Sequence, residues 1–344
     1  MRKTFFITLT FICIIFMASC KDKEKSVILY NNSFEDTSIL ARNMHCNFCI
    51  VLLDSTQDYS KQYKKRIEKA STETCGIYNL IYINIPEQQW YLKWLCPTSL
   101  PLTCVFSRNG TLIDLIPGST KEALLYTNKA VSEGCTTEFH YINNFDKKKE
   151  ELIPILDNIL YCAINIRQGI FTDDAAIRSI KYPYPYYLQT VGCLLNNDTI
   201  TAVHAAKKML AFESPYYLDL YKEEFIVAKK TVDHNFDVSK EPSIRTDKEK
   251  IVLNYHNEGE TIPFEFTIFN DGERNLDISK IFLSCTCLKL NSIDHFTVLQ
   301  KDSVTLHLTF HIEQKGKIFR DIFVTSNAIN KPIYHIQIEA EETH

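Results

Sequence analysis

Two closely spaced cysteine pairs are the residues of this chain best suited to chemistry. Cys46 and Cys49 have the Cys-x-x-Cys spacing that supports reversible exchange between a dithiol and a disulfide. Cys285 and Cys287 are separated by one residue, and on a strand such side chains point to the same face. Two parallel thiols could hold a soft metal such as Cu(I), or they could fill a hydrophobic core. Core packing is the preferred interpretation, because no further metal ligand is evident nearby.

A third pair, Cys96 and Cys104, flanks a loop that contains Pro97 and Pro101. A disulfide could fix this loop, or both thiols could stay reduced and buried. None of the 10 histidines has the spacing of a structural zinc site, and the chain has no phosphate-binding loop, nucleophile elbow or paired carboxylates. We therefore assign no catalytic residue and no cofactor. The net charge of -4 argues against nucleic acid as a partner.

The amino-terminal segment has the composition of a secretory signal. Two basic residues precede an apolar run from Phe5 to Met17, and this run is shorter than the about 20 residues that span a bilayer. The small residues before Cys20 and the charged residues after it resemble the lipobox of bacterial lipoproteins, in which the cysteine is lipidated. This resemblance implies a signal peptide over residues 1–19, lipidation at Cys20 and a lipidated tether over residues 20–33.

The Lys21-Asp22 pair resembles the signal with which some Gram-negative bacteria export lipoproteins to the cell surface. The chain is therefore expected in the cell envelope of a Gram-negative bacterium. There it would be an outer-membrane lipoprotein, held in the membrane by its lipid and either periplasmic or exposed at the surface.

Residues 34–145 alternate helix-like and strand-like stretches. Continuous apolar runs at Phe48–Asp54 and Ile77–Ile85 predict strands that are covered on both faces. The Asn109-Gly110 pair between two further apolar runs predicts a hairpin. Helices are predicted over Phe34–Met44, Gln57–Ala70, Glu87–Leu95 and Thr120–Ser132. This order, with Leu100-Pro101-Leu102 before the hairpin, resembles the thioredoxin fold, which implies a cis peptide bond at Pro101.

Thioredoxin-like enzymes carry their cysteine pair where the first central strand meets its helix, because the helix N-terminus stabilises the attacking thiolate. The corresponding junction here, Asp54–Tyr59, contains no cysteine, and Cys46 and Cys49 precede the strand. We therefore expect a redox-inactive thioredoxin-like domain. The alternative is a thiol-disulfide oxidoreductase that uses Cys46 and Cys49, or Cys96 and Cys104.

Residues 146–235 are predicted to be helical throughout. The predicted helices cover Leu152–Ile166, Pro185–Leu195, Ile200–Ala211 and Tyr216–Thr231. Alanines at 202, 205 and 206 resemble those of a degenerate tetratricopeptide hairpin, but a free-standing array needs about three repeats and this segment is shorter. A helical spacer is therefore preferred over a peptide-binding groove. A polar linker, interrupted by proline, follows at residues 236–249.

Beyond the linker, residues 250–344 place apolar side chains at every second position. Four runs carry this alternation: Ile262–Ile268, Val304–Ile312, Ile318–Val324 and Tyr334–Ala340. Short alternating strands separated by turn residues predict an all-β sandwich.

The segment Ser284-Cys285-Thr286-Cys287, with Asn270-Asp271-Gly272 before it and Gly316 after it, resembles a bacterial family of immunoglobulin-like domains of unknown function. Those domains usually carry the motif Ser-Cys-Gly-Cys-Thr. Thr286 and Leu288 depart from that motif, but the pattern of strands and turns as a whole matches the family.

The sequence thus predicts a multidomain protein with an α/β thioredoxin-like domain at 34–145, an all-α spacer at 146–235 and an all-β immunoglobulin-like sandwich at 250–344. We expect it to act in binding or assembly with an envelope protein or peptide, and not in catalysis. One alternative is the oxidoreductase described above. Another is a metal- or peptide-binding receptor that uses the C-terminal domain, with Cys285 and Cys287 as candidate metal ligands.

Overall fold

The computed structural model describes residues 28–30, 46–73, 79–85 and 89–343. These residues form a mixed α/β protein that contains three β-sheets. The chain divides into two compact units, Met1–Ile164 and Asn165–His344. The predicted signal peptide, the lipidation at Cys20 and the helix over Phe34–Met44 lie outside the described residues.

A five-stranded sheet forms the centre of the first unit. In sheet order its strands are β1 (Ile28–Tyr30), β3 (Asn79–Asn84), β2 (Phe48–Leu53), β4 (Leu102–Phe106) and β5 (Leu112–Pro117). The first three run parallel, and β4 and β5 continue the sheet antiparallel. β1 falls within the segment predicted as a tether, because three residues are too few to show a periodicity.

The helices described in this unit are α1 (Asp58–Glu73), α2 (Trp90–Leu95), α3 (Lys121–Glu133) and α4 (Lys149–Arg167), whose last residues belong to the second unit. β2 is buried along its whole length, as its continuous apolar run predicts. Tyr63 of α1 and Ala130 of α3 pack in the core on one side of it. Trp94 of α2 donates a hydrogen bond to the Leu156 carbonyl of α4 at 2.8 Å. This bond fastens α4 to α2.

The helices of the second unit are α5 (Pro183–Leu195), α6 (Thr199–Leu210), α7 (Pro215–Leu220) and α8 (Lys222–Val232). α5 and α6 follow the predicted bounds closely. The single helix predicted over Tyr216–Thr231 is instead two helices, because the backbone of Tyr221 leaves the helical conformation (φ -114°, ψ 31°). Asp198 begins α6 by accepting a hydrogen bond from the Thr201 amide at 3.0 Å.

Residues 244–343 form an all-β domain, called here the C-terminal β domain. Its first sheet has the order β10 (Leu288–Leu290), β12 (Ser303–His311), β8 (Thr261–Asn270), β6 (Ile244–Thr246). Its second sheet has the order β11 (Phe296–Val298), β9 (Leu276–Leu283), β13 (Ile318–Ser326), β14 (Ile333–Glu342), β7 (Lys250–Tyr255). Neighbours are antiparallel except β14 and β7, which are parallel.

The inward positions of both sheets contribute to one hydrophobic core, which includes Phe266, Leu308, Ile322 and Ile336. Each of the four alternating runs forms a strand, so the prediction of an all-β C-terminal segment is consistent with the structure. A bulge interrupts β9 at Ser279, where the register to β13 shifts. Because of this extra residue, the inward positions of β9 shift by one residue after Ser279.

The segment predicted as a linker is fixed to its surroundings. The buried Glu241 carboxylate lies 3.0 Å from Lys229 of α8 and 2.6 Å from Arg274. Gly272 packs so closely that a Cβ there would lie 2.2 Å from the Glu241 carbonyl oxygen. Only glycine fits at that turn without displacing the backbone.

Candidate functional site

The turn that joins β2 to α1 is polar and contains no cysteine. The Asp54 carboxylate accepts hydrogen bonds from the Thr56 amide at 2.9 Å and from the Thr56 hydroxyl at 2.6 Å. At the end of β3, the Asn84 side-chain oxygen accepts from the Ser55 amide at 3.0 Å. Side chains thus hold the turn in shape, and it offers no thiol for disulfide chemistry.

Cys49 and Cys104 lie inside the sheet of the first unit. Cys49 is the second residue of β2, Cys104 is the central residue of β4, and neither side chain is exposed to solvent. Burial raises the pKa of both thiols, and the nearby Cys104 adds to the rise at Cys49. Because the thiolate is the nucleophile in disulfide exchange, two neutral and inaccessible thiols are poorly suited to it.

No disulfide joins any two of the four candidate redox cysteines, all of which are described. Cys46 is half-buried just before β2, and no disulfide joins it to Cys49. Cys96 ends α2 and is buried, and no disulfide joins it to Cys104, although all four residues are described. The Cys96 carbonyl accepts a hydrogen bond from the Asn144 side chain at 3.1 Å instead.

The bend before β4 contains the proline that sequence reasoning singled out. The peptide bond between Leu100 and Pro101 is cis. The Pro101 carbonyl accepts a hydrogen bond from the Gly118 amide at 2.8 Å. Two residues further on, the hydroxyls of Thr103 and Tyr63 share a buried hydrogen bond of 2.8 Å, which the sequence did not predict. Burial raises the pKa of Tyr63 to about 12.

Cys285 and Cys287 lie in a turn and not on a strand, so the prediction of two parallel thiols on one strand face is wrong. The turn connects β9 to β10, and a disulfide joins the two sulfurs. The polar residues Ser284 and Thr286 interrupt the apolar alternation at the point where the chain leaves the sheet. The Cys285 side chain is half-buried, whereas Cys287 is 3% exposed and packs in the core.

Arg320 of β13 points at this disulfide, and sequence reasoning missed its role. Its Nε donates a hydrogen bond to Cys287 Sγ at 3.2 Å. One of its terminal nitrogens donates to the Phe319 carbonyl at 2.8 Å. The available signal was an arginine at an inward position of an alternating strand, between Ile318 and Ile322.

The outer face of the second sheet carries exposed aromatic rings. Phe282, Phe319 and Phe323 are 46%, 50% and 37% exposed, and they are called here the aromatic face. Phe282 and Phe323 are directly paired across β9 and β13. The Phe323 ring stacks on His335 of β14 at a centroid distance of 4.9 Å. An exposed cluster of large apolar side chains is typical of an interaction surface.

Charged side chains lie close to these aromatic rings and to His335. The Lys280 ammonium lies 4.8 Å from the Phe282 ring centroid, and that of Lys317 lies 5.4 Å from the Phe319 ring centroid. The Asp321 carboxylate lies 2.7 Å from His335 Nε2. These contacts favour defined positions of the rings.

The outer face of the first sheet is polar by contrast. It exposes Glu265, Thr305 and His307, and the His307 ring lies 3.1 Å from the Glu265 carboxylate. His307 and His311 are both exposed, as their strand positions predict. The two outer faces of one domain therefore differ in chemistry.

Among the described residues, no cluster of three or more histidine, cysteine, aspartate or glutamate side chains is arranged to hold a metal ion. The described helices are also too short or too polar to cross a membrane. Along residues 138–151 of the first unit lies a hollow of about 660 Å³. It is lined by side chains of both charge signs, which favours no single class of ligand.

Residues 244–341 match the model of the family described as "Protein of unknown function (DUF1573)". The chain carries a DUF1573 domain at its C-terminus. The match begins at the first residue of β6, so the DUF1573 domain coincides with the C-terminal β domain. The sequence prediction of a C-terminal domain from an uncharacterised family is confirmed, and its β-rich structure is compatible with an immunoglobulin-like or sandwich fold.

Solved structures offer only distant similarities. A protein of unknown function from Porphyromonas gingivalis W83 is 16% identical, with a TM-score of 0.27, over 32% of this chain and 50% of that chain. A PapD-like domain of human CEP192 is 10% identical, with a TM-score of 0.25, over 32% of this chain and 90% of that one. The oxidised thioredoxin of Plasmodium falciparum is 14% identical, with a TM-score of 0.28, over 30% of this chain and 99% of that chain. No curated protein matches the chain.

Proposed function

We propose that this protein is a lipid-anchored component of the bacterial cell envelope that binds a partner protein through the aromatic face of its DUF1573 domain. The partner is a protein that presents apolar side chains, because three exposed phenylalanine rings lie on this surface. The observation that carries the proposal is the contrast between the aromatic outer face of one sheet and the polar outer face of the other.

The positions of the cysteines in the first unit favour a structural role for this unit over an enzymatic one. In our proposal it is a thioredoxin-like domain that has lost its redox function. The β2–α1 turn holds Asp54 and Thr56 where the chemistry needs thiols. Cys49 and Cys104 are enclosed in the sheet with raised pKa values. The proposed role of the helices between the two domains is that of a tetratricopeptide-like spacer.

The aromatic face is suited to protein binding for an energetic reason. Burial of a phenylalanine side chain contributes about 1.5–3 kcal/mol, and residues of this kind often dominate the affinity of an interface. Phe282 and Phe323 are adjacent, so one apolar side chain of a partner can contact both rings.

Site-specific crosslinking in living cells tests the proposal. A photoreactive amino acid replaces Phe323 of the full chain in one strain, and His307 on the polar face in a matched strain. We expect one discrete adduct from position 323 and none from position 307. The double change Phe282→Ser and Phe323→Ser should remove the partner from a pull-down, while circular dichroism should show that the chain stays folded. Equal adducts at both positions, or none at either, would refute the assignment of the aromatic face.

A further inference from the structure

We propose that the Cys285–Cys287 disulfide is a thiol-disulfide exchange site that oxidises a dithiol of a partner protein, with Arg320 stabilising the sulfur that leaves. The proposal does not depend on the aromatic face or on the lipid anchor. It rests on the unequal exposure of the two cysteines and on the arginine that donates a hydrogen bond to the more buried one.

The turn presents the two sulfurs differently. Cys285 is half-buried and reaches solvent, whereas Cys287 is 3% exposed. Cys285 also packs against the core, but of the two cysteines it is the more accessible to an incoming thiolate. The sulfur that must then leave is Cys287 Sγ, which faces the protein interior.

Arg320 supplies a positive charge where negative charge would develop. Its Nε–H donates to Cys287 Sγ at 3.2 Å. Among the described residues no carboxylate lies within ion-pairing distance of its guanidinium, and the other hydrogen bond shown for it is to the Phe319 carbonyl. An arginine keeps its charge at every accessible pH. A cation beside a thiolate stabilises it, and a more stable leaving thiolate makes exchange faster.

Backbone contacts hold this geometry on both sides. Ser284 and Asp321 exchange two hydrogen bonds, from the Ser284 amide to the Asp321 carbonyl at 3.0 Å and from the Asp321 amide to the Ser284 hydroxyl at 2.8 Å. On the other side, the Cys287 carbonyl accepts from the His311 amide at 2.8 Å. The turn is thereby attached to β13 next to Arg320, and to the end of β12.

The exchange balances in two steps. A substrate thiolate attacks Cys285 Sγ, the bond between Cys285 and Cys287 breaks, and its electron pair leaves with Cys287 as a thiolate beside Arg320. The second thiol of the substrate loses its proton and attacks the substrate's own sulfur in the mixed disulfide, and Cys285 leaves as a thiolate that takes up that proton. The substrate has lost two electrons and gained a disulfide, and the protein has gained two electrons and holds a thiol at Cys285 and a thiolate at Cys287.

The test uses the full chain under native conditions, with reduced glutathione as the probe. Alkylation and mass mapping of the peptide with both cysteines follow its reduction over time. We expect Arg320→Gln to slow the reduction about tenfold, because the leaving thiolate loses its cation, and Arg320→Lys to recover part of the rate. The matched control is Arg245→Gln, which removes an arginine paired with Asp271 on the same domain. Equal rates for Arg320→Gln and Arg245→Gln would overturn the proposal.

A second measurement covers the case in which the arginine variant does not fold. Brief exposure of the unsubstituted chain to glutathione, followed by an acid quench, should trap glutathione on Cys285. Trapping on Cys287, or reduction that occurs only after denaturant is added, would show that the bridge is structural. Ultraviolet absorbance of the reduced chain should also show a thiolate that forms at lower pH than in Arg320→Lys or Arg320→Gln.

Discussion

The Lys149 ammonium lies 2.7 Å from the Asp114 carboxylate, and both side chains are buried. Asp114 belongs to β5 and Lys149 is the first residue of α4, so the pair connects an edge strand of the sheet to α4, with α3 between them along the chain. Asp114 also accepts hydrogen bonds from the Thr137 amide at 2.9 Å and from the Leu115 amide at 2.8 Å. Each oxygen of the buried carboxylate therefore accepts at least one hydrogen bond.

Loss of Lys149 should destabilise the protein strongly. Lys149→Met leaves the carboxylate of Asp114 buried without its counter-charge, and we expect a loss of about 3–5 kcal/mol in the free energy of unfolding. Adding Asp114→Asn should recover part of this loss, because the remaining side chain is neutral and still accepts from Thr137. Denaturant unfolding measures both effects. The control is Lys147→Met, which breaks a partly exposed pair with Glu151 and should cost about 0.5 kcal/mol or less. A similar loss in both lysine variants would contradict the prediction.

Acid should destabilise the DUF1573 domain partly through Glu339. Lys250 and Lys317 hold its carboxylate, and hydrogen bonds from them lower its pKa from 4.5 to about 2. Because the folded pKa is lower than the unfolded one, the contribution to stability is complete above the unfolded value of 4.5 and is lost as the pH falls towards 2.

Thermal melts at about pH 5 and about pH 2 should therefore show a smaller decrease in midpoint for Glu339→Gln than for the unsubstituted chain. Glu258→Gln, which makes the same change at an exposed turn, should keep the full decrease. Identical pH profiles for the unsubstituted chain and for Glu339→Gln would exclude this assignment.

The thiols of Cys49 and Cys104 should be unreactive in the native protein. They are fully buried, and burial raises the pKa of each. Native alkylation with iodoacetamide should label the exposed Cys135 at least about a hundredfold faster than either of them. Unfolding in denaturant should make the three rates similar. Rapid native labelling of Cys49, or exchange activity that disappears in Cys49→Ala, would restore the oxidoreductase interpretation of the first unit.

Membrane association should depend on Cys20. The prediction rests on the sequence around that residue, and none of the described helices is able to span a membrane. Cys20→Ala should move the protein from the membrane pellet to the soluble fraction after a high-salt, alkaline wash. Cys13→Ala, within the leader, is the matched control and should leave the protein in the pellet. Recovery of the Cys20→Ala chain in the pellet would exclude the lipid anchor.

Local patterns predicted much of the fold, because periodicity reports which side of an element is buried. The run Phe48–Asp54 identified β2, and the alternation in Ile318–Val324 identified β13. The order of strands in the sheets was not predictable in the same way. The parallel pairing of β14 with β7 joins residues more than eighty positions apart, and no local signal encodes it.

The candidate sites were less predictable, because they depend on local exceptions to these patterns. The bulge at Ser279 adds a residue to β9 and breaks a strict alternation, and the cysteines that follow leave the strand for a turn. Arg320 was visible in the sequence as a charge at an inward position, but its partner, Cys287, lies 33 residues away. The alternation of β13 places Phe319 and Phe323 at outward positions, but the aromatic face was not predicted, because the pairing of Phe323 with Phe282 depends on the order of the strands in the sheet.

The disulfide between Cys285 and Cys287 closes a ring with a single residue between its ends. A crosslink stabilises a fold chiefly by restricting the unfolded chain, and this effect grows with the length of the loop that it closes. A loop this short reduces the conformational freedom of the unfolded chain only slightly, because the covalent backbone already keeps the two cysteines close together. Through this effect the bridge contributes little to the stability of the domain, so we expect its reduction to leave the folding equilibrium largely unchanged.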